Sequence, residues 1–182
     1  IGKPGTGKST LINIMNGEKV AKEGTGGGKV TYNICKYTVK TEDKTKDKTE
    51  YKREDNLIFY DTPGFGQNNE LQKVENFINE EILAMKEIKE KFHCVIYMLS
   101  YQEEKNFDES EINIINTLLD LNVPFYFVLN KSQKPKENKR KKKKRDDKKN
   151  ILEEEIRMKF PKKKDLIKVI SLNLKVNDSD DC

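Results

Sequence analysis

The chain contains few of the residues that build metal centres and disulfide frameworks. It has one histidine, His93, and three cysteines, Cys35, Cys94 and Cys182, which are widely separated and match no metal-binding spacing. An odd number of scattered cysteines is typical of a protein from a reducing compartment. His93 adjoins an apolar run, which favours a structural role over a catalytic one. The composition therefore argues against a zinc module, a disulfide-stapled scaffold and a histidine-based catalytic centre.

Hydrophobic residues are also scarce, because the apolar fraction is 34% and the charged fraction 37%. No run is long enough to span a membrane, and no secretory signal is visible. With this composition, some segments cannot pack into a core. The 182 residues are nevertheless enough for one domain with a sizeable core.

A glycine-rich phosphate-binding motif occupies the first ten residues, IGKPGTGKST. Gly2, Gly7, Lys8 and Ser9 fit every fixed position of the pattern G-x-x-x-x-G-K-[ST]. Such a loop points several backbone N–H groups at a phosphate, and the helix that follows adds the positive end of its dipole. Lys8 is predicted to reach the β- and γ-phosphates of a nucleotide, and the Ser9 hydroxyl is predicted to bind Mg²⁺.

Apolar patterns further along predict alternating strands and helices. We expect strands near residues 30–39, 56–60, 94–99, 123–129 and 166–170, and helices over 70–92, after Asp108 and over 151–160. Asp108 and Glu111 form the expected N-cap pair of the second of these helices. This alternation predicts an α/β fold with helices on both faces of a mostly parallel sheet. Ligands of such sheets bind beyond the carboxyl ends of the strands.

Three polar segments follow predicted strands, at the edge where the phosphate loop is also expected. They are Asp61-Thr62-Pro63-Gly64, Asn130-Lys131 and Ser171-Leu172-Asn173. Taken in chain order with the phosphate loop, these stretches resemble the P-loop GTPase superfamily over nearly the whole chain. GKPGTGKSTLINIMNGEKVA is most similar to Era-like and ribosome-associated GTPases. The long helix before FHCVIYMLS looks more like septins, immune-associated nucleotide-binding proteins and chloroplast import GTPases.

The resemblance implies a three-layer P-loop NTPase fold that binds GTP or GDP together with Mg²⁺. A phosphate loop normally follows a buried strand, of which only Ile1 is present, and the chain has no initiator methionine. We therefore interpret residues 1–182 as one GTP-binding domain, cut at its N-terminus and C-terminus, with its first strand missing. The cysteine pattern and the resemblance predict a cytoplasmic protein, with the cytosolic face of a membrane as the alternative.

The resemblance also implies a metal site and a phosphate sensor. Mg²⁺ would be held by Ser9, by Asp61 through water and by a threonine of the first mobile loop. That threonine is Thr31, with Thr25 as the alternative. The Gly64 N–H would contact the γ-phosphate, so the expected catalytic residues are Lys8, Thr31 and Gly64. The expected nucleotide-binding residues are Gly2, Pro4, Gly5, Thr6, Gly7, Lys8, Ser9, Thr10, Asn130, Lys131, Gln133, Ser171, Leu172 and Asn173.

Two positions depart from the GTPase pattern. The base-recognition motif N-K-x-D would place aspartate where Gln133 stands, and an amide oxygen is a weaker, uncharged acceptor for guanine N–H groups. Phe65 stands where Ras-like enzymes carry the glutamine that orients the attacking water. We expect a GTP-binding switch whose slow hydrolysis depends on a homodimer or an activating protein. The alternatives are a nucleotide-regulated scaffold without useful turnover and a nonselective NTP hydrolase.

Residues 134–149 form a basic, low-complexity insert within the domain. The insert has eleven basic and three acidic residues, a net charge of +8, whereas the whole chain carries +5. The rest of the domain is therefore mildly acidic. We favour a solvated loop, and the functional alternative is a surface for RNA, the ribosome or an anionic membrane. No aromatic residue is interleaved, so any RNA contact would be to phosphates rather than to bases.

Overall fold

The computed structural model describes residues 1–23, 33–41, 55–65, 68–83, 92–101, 107–120, 122–130, 139–172 and 174. The helices are α1 (Lys8–Asn16), α2 (Asn68–Leu83), α3 (Glu109–Asp120) and α4 (Lys139–Lys159), and a short 3₁₀ helix covers Pro161–Leu166. The strands are β1 (Cys35–Thr41), β2 (Asp55–Asp61), β3 (Val95–Ser100), β4 (Phe125–Asn130) and β5 (Ile167–Leu172). Strands and helices alternate along most of the chain, as the sequence predicts.

The central sheet is parallel and has the order β3-β4-β5. Residues at the very start of the chain extend it, because Gly2 forms a parallel bridge with Met98. The backbone N–H of Met98 donates to the carbonyl of Ile1 at 2.9 Å. The phosphate loop therefore begins beside β3, at the same edge of the sheet as the carboxyl ends of β3 and β4. β1 and β2 form a separate antiparallel pair within the described residues.

Helices cover both faces of the sheet, which confirms the predicted α/β fold. On one face, Tyr97, Phe127 and Val169 pack with buried side chains of α2, α3 and α4. On the other face, Met98 and Val128 pack with Leu11 of α1 and with Leu174. Strands buried from both sides carry continuous apolar runs, which is why β3 and β4 are recognisable in the sequence.

The beginning of α3 follows the predicted capping pattern. The Glu111 N–H donates to the Asp108 carboxylate at 2.8 Å, and the Asp108 N–H donates to the Glu111 carboxylate at 3.0 Å. These two reciprocal bonds satisfy backbone donors that the first turn of a helix leaves open. The expected N-cap pair is confirmed.

The helix α4 is much longer than the sequence predicts. The expected helix covers residues 151–160, and the preceding basic segment was expected to be a loop, whereas α4 begins at Lys139. Leu152 and Ile156 are fully buried and fix the second half of α4 against the core. Lysine and arginine have high helix propensity, and extending an existing helix is easier than nucleating one. The packed half of α4 can therefore extend toward the N-terminus through residues 139–149.

Other boundaries shift by a few residues. The predicted strand at 30–39 is found as β1 from Cys35, and the predicted helix at 70–92 is found as α2, which ends at Leu83. The parts of both predictions at 30–32 and 84–91 lie outside the described residues. Among the helices that the structure describes, none is both long enough and apolar enough to cross a membrane.

Candidate phosphate-binding site

Glycine is required at both fixed glycine positions of the phosphate-loop pattern. Gly2 has a φ of 134°, and a Cβ atom there would lie 2.3 Å from the Met98 carbonyl oxygen. Gly7 has a φ of 93°, and its Cβ would lie 2.5 Å from the Asn130 Nδ2 atom. Real Cβ atoms do not approach other atoms this closely, and residues other than glycine rarely adopt these φ values. The tight arch of the loop therefore depends on these two glycines.

The ammonium group of Lys8 closes this arch. Its Nζ atom donates hydrogen bonds to the carbonyl oxygens of Gly2 and Lys3, each at 3.0 Å. The Thr6 hydroxyl donates to the same Lys3 carbonyl at 2.9 Å. A cation thus lies within a loop whose backbone leads directly into the N-terminus of α1, where the N-cap residue, Gly7, has no side chain with which to cap the helix. Both features attract an anion such as a phosphate.

A serine and an aspartate meet beside the loop. The Ser9 hydroxyl donates to the Asp61 carboxylate at 2.7 Å, across 52 residues of sequence. Asp61 is buried, and its other oxygen, Oδ1, has no hydrogen-bond partner among the described residues. An unsatisfied buried carboxylate oxygen is costly unless something binds it. The fold brings these two predicted metal ligands together.

The oxygen atoms of Ser9 and Asp61 fit the chemistry of Mg²⁺. Mg²⁺ prefers oxygen ligands and is commonly held by one or two carboxylates together with substrate phosphates and water. The described residues contain no cluster of three or more histidine, cysteine or acidic side chains that would hold a metal without a substrate. A site of this kind therefore suits a metal that arrives with a phosphate ligand.

The segment after β2 lies directly against the phosphate loop. A Cβ atom on Gly64 would lie 2.5 Å from the backbone nitrogen of Pro4. The N–H of Phe65 donates to the Gly2 carbonyl at 3.2 Å. The Phe65 side chain is buried, and its ring packs on Tyr97 with 6.0 Å between ring centroids. Phe65 thus anchors residues 61–65 to the core while Gly64 faces the loop.

The ends of β4 and β5 approach the loop from the other side. Asn130 is buried and donates from Nδ2 to the Thr6 carbonyl at 3.0 Å. Ser171 has a buried hydroxyl without a hydrogen-bond partner among the described residues, and Leu172 is half-buried. Leu174 lies close to Gly7, since a Cβ there would be 3.3 Å from Leu174 Cδ1. Segments from three strand ends therefore surround the phosphate loop.

Several expected site residues lie outside the part of the chain that the structure describes. They are Thr31 and its alternative Thr25, and Lys131, Gln133 and Asn173. Of the described ones, those among the first ten residues, including Pro4, Gly5, Thr6 and Thr10, lie in the loop or in the first turn of α1, and the others lie at or just after the ends of β2, β4 and β5. His93 is exposed at the amino end of β3, the opposite end of the strand from the phosphate loop. It lies outside the site, as a structural role predicts.

A set of hydrogen bonds between α1 and the segment that follows it was not predicted from the sequence. The side-chain amide of Asn13 donates to the Ala21 carbonyl at 2.8 Å and accepts from the Ala21 N–H at 2.7 Å. The Glu23 carboxylate accepts from Asn13 and, at 2.9 Å, from the Thr10 hydroxyl. These bonds fix residues 21–23 beside the first turn of α1. No local pattern signals them, because the partners are paired only after the chain reverses at Gly17.

A contact between the phosphate loop and α3 was not predicted from the sequence either. The Lys3 ammonium lies 3.9 Å from the buried Glu111 carboxylate. The Asp108–Glu111 spacing identifies a helix cap, but the ion pair joins residues 108 positions apart. Lys3 stands at a variable position of the phosphate motif, so the motif itself says nothing about it.

Comparison with known proteins agrees with this geometry. Residues 1–131 match the sequence model of a family described as 50S ribosome-binding GTPase. The chain is 32% identical over 122 residues to GTPase Era of Ureaplasma urealyticum serovar 10, covering 67% of this chain and 34% of that protein. It is 28% identical over 138 residues to GTPase Era of Clostridium botulinum strain Hall, covering 75% of this chain and 40% of that protein. The chain thus spans well under half the length of these curated relatives. With most of its residues matched to the family and a phosphate loop of the expected form, the chain belongs to the 50S ribosome-binding GTPases, an Era-like group of P-loop GTPases.

Proposed function

We propose that this domain is a switch that binds GTP or GDP with Mg²⁺ and hydrolyses GTP slowly, with help from a second copy or an activating protein. The observation that carries the proposal is the Ser9–Asp61 pair at 2.7 Å, directly beside the Lys8 arch, with one Asp61 oxygen that has no hydrogen-bond partner in the described part of the chain. The membership of the chain in a GTPase family supports guanine nucleotide as the ligand.

The proposed nucleotide contacts follow from the positions of the loop residues. Lys8 and the open N–H groups of the first turn of α1 hold the phosphates, and Ser9 and Asp61 hold the metal. When bound, Mg²⁺ neutralises charge on the β- and γ-phosphate oxygens. Gly64 lies against Pro4, where its N–H can meet the terminal phosphate. Loss of that phosphate releases residues 61–65, which makes the domain a switch.

Slow turnover is proposed because of Phe65. Its side chain has no hydrogen-bond donor or acceptor and is buried against Tyr97, so it cannot orient an attacking water. Single-turnover GTP hydrolysis tests this point. We expect a slow rate at low protein concentration and a faster one when a second copy or an activating protein is supplied. Rapid hydrolysis by the dilute domain alone would contradict the proposal, and no hydrolysis in any condition would favour the scaffold alternative.

Base selectivity is tested separately, because Gln133 leaves a nonselective NTP hydrolase as the alternative. Unlabelled GDP and ADP compete for the site against a fluorescent GDP analogue. The proposal predicts that GDP competes at least about tenfold better than ADP, a difference of roughly 1.4 kcal/mol in binding free energy. Equal competition by the two nucleotides would favour the nonselective alternative. A Gln133→Asp variant, which restores the usual carboxylate, should then increase the preference for GDP.

A second candidate function concerns the basic half of α4. Residues 139–149 carry nine basic and two acidic residues, a net charge of +7, at the N-terminal end of a helix. We propose that this half-helix contacts the phosphates of RNA, since the matched family is described as ribosome-binding. A membrane-surface helix needs an apolar face, and residues 139–149 contain no aliphatic or aromatic side chain. RNA is therefore favoured over an anionic membrane, and a cytoplasmic location over a membrane face.

RNA binding of this kind must weaken as salt concentration rises. We expect replacement of the three lysines Lys142–Lys144 by glutamine to weaken RNA binding at low salt and to flatten its salt dependence. The matched control replaces the exposed or half-exposed run Lys162–Lys164 in the same way and should change little. RNA affinity that is insensitive to salt, or equal losses in both variants, would contradict the proposal. Binding to anionic vesicles alone would favour the membrane alternative.

A further inference from the structure

The carboxylate of Glu111 is buried far more completely than a helix cap requires. Its side chain is 1% exposed, although it lies in the first turn of α3. It accepts a hydrogen bond from the Tyr97 hydroxyl at 2.7 Å and one from the Asp108 N–H at 3.0 Å, and it pairs with Lys3 at 3.9 Å. The cap explains only the Asp108 bond. Burying a carboxylate is costly, so the contacts to Tyr97 and Lys3 need their own explanation.

The backbone carbonyl of Lys3 is a shared hydrogen-bond acceptor inside the phosphate loop. Its carbonyl oxygen accepts hydrogen bonds from the Lys8 ammonium at 3.0 Å and from the Thr6 hydroxyl at 2.9 Å. A shift of Lys3 therefore moves the acceptor that positions Lys8. The side chain of the same residue reaches Glu111, so α3 is connected through Lys3 to the cation of the phosphate loop.

The segment that follows β2 contacts the buried Tyr97–Glu111 pair. Phe65 packs on the ring of Tyr97, and its N–H donates to the Gly2 carbonyl. The hydroxyl of Tyr97 is bonded to Glu111. The phosphate loop contacts the Tyr97–Glu111 pair through Lys3, and residues 61–65 contact it through Phe65. Both phosphate-facing segments thus share one support inside the domain.

We propose that Glu111 is a positioning residue for nucleotide binding, acting through Lys3 on the phosphate loop and through Tyr97 on Phe65. The proposal rests on the proposed function, because it assumes that the phosphate loop holds a guanine nucleotide. Glu111 touches no nucleotide in this account. It holds Lys3, and thereby Lys8, in the arrangement that accepts the phosphates, and it makes the start of α3 sensitive to the state of the site.

The test is a double-mutant cycle on the dissociation rate of a fluorescent GDP analogue, with the whole chain. Lys3→Met removes the ion pair from the side of the loop, where the side chain is 35% exposed, so folding is expected to be retained. Glu111→Gln removes the charge and keeps the shape of the side chain. Each variant should release GDP up to about 100-fold faster, because a misplacement of about 1 Å can cost a positioned group about 100-fold. The double variant should be no faster than the more affected single variant.

Two further variants separate positioning from general stability. Lys3→Arg keeps the charge and should restore slow release. Lys163→Met removes a lysine of similar exposure that pairs with Asp120 at 3.7 Å, away from the loop, and should leave release unchanged. Unfolding temperature is measured for every variant. If Glu111→Gln fails to fold, Lys3→Met and Lys3→Arg still decide the matter.

Unchanged release in Lys3→Met, or additive effects in the double variant, would overturn the proposal. Faster release in Lys163→Met to the same extent would also overturn it, since the effect would then be nonspecific. Failure of the unmodified domain to bind GDP would instead overturn the proposed function. The two failures are therefore distinguishable.

Discussion

The residue pair Ser9–Asp61 has the clearest geometry in the site. Each was predicted from a separate motif, and the fold brings them to 2.7 Å with one Asp61 oxygen left unpartnered among the described residues. A buried carboxylate oxygen without a partner is costly, and a cation that binds the oxygen removes this cost. The pair therefore predicts that Mg²⁺ and nucleotide bind together.

Asp61→Asn should make nucleotide binding independent of Mg²⁺. It removes the charge that attracts Mg²⁺ and keeps the size of the side chain, so Mg²⁺ should no longer tighten nucleotide binding. We expect a loss of about 10- to 100-fold in affinity with Mg²⁺ present and little change with the metal chelated. Asp120→Asn, at an exposed position of α3, is the control and should behave as the unmodified domain. An equal response of both variants to Mg²⁺ would contradict the assignment.

Gly64 yields a second prediction at the residue scale. In Gly64→Ala, the new Cβ would lie 2.5 Å from backbone of Pro4, which cannot rotate away. The variant should lose about 1–3 kcal/mol in the free energy of unfolding, as overpacked sites do. Gly17→Ala is the control, because no atom of the described residues lies within 4 Å of its Cβ and only its positive φ of 74° is strained. Thermal unfolding measures both. A smaller loss for Gly64→Ala than for Gly17→Ala would show that the loop and residues 61–65 are not in tight contact.

Among the elements, α4 combines two halves of different character. The second half is fixed by Leu152 and Ile156, which are fully buried, whereas all of residues 139–149 are charged. Basic residues at the N-terminus of a helix oppose its dipole, and like charges three or four positions apart repel. The stability of α4 must therefore come from its packed half.

Leu152→Ala tests this division. It should lower the free energy of unfolding by about 2–5 kcal/mol and reduce the helix content, because it removes buried methyl groups from the core. Met158→Ala, in the same helix but 75% exposed, should change stability by less than about 0.5 kcal/mol. Chemical denaturation followed by circular dichroism measures both. Similar losses in the two variants would mean that α4 is not anchored in the way described.

At the scale of the whole molecule, the sequence predicts the fold and the phosphate edge well. Apolar runs identify β3 and β4, and the motif spacing places Gly2, Lys8 and Asp61 at the same edge of the sheet. The predicted extent of α4 was wrong. Helix formation in residues 139–149 depends on the packing of Leu152, which local charge patterns do not reveal. The links Lys3–Glu111 and Asn13–Ala21 are long-range contacts with no local signal. Thr31 and Gln133 stay predictions, since they lie outside the described residues.

The central claim is that the first ten residues hold the phosphates of a guanine nucleotide. The most direct measurement is the dissociation constant of a fluorescent GDP analogue with Mg²⁺, for the unmodified domain and for Lys8→Ala. Lys8 provides the cation inside the arch, so its loss should weaken binding at least about 100-fold, equivalent to roughly 2.7 kcal/mol. Lys19→Ala, exposed shortly after α1, is the control and should bind as the unmodified domain does. Equal affinity of the Lys8 variant and the unmodified domain would contradict the account.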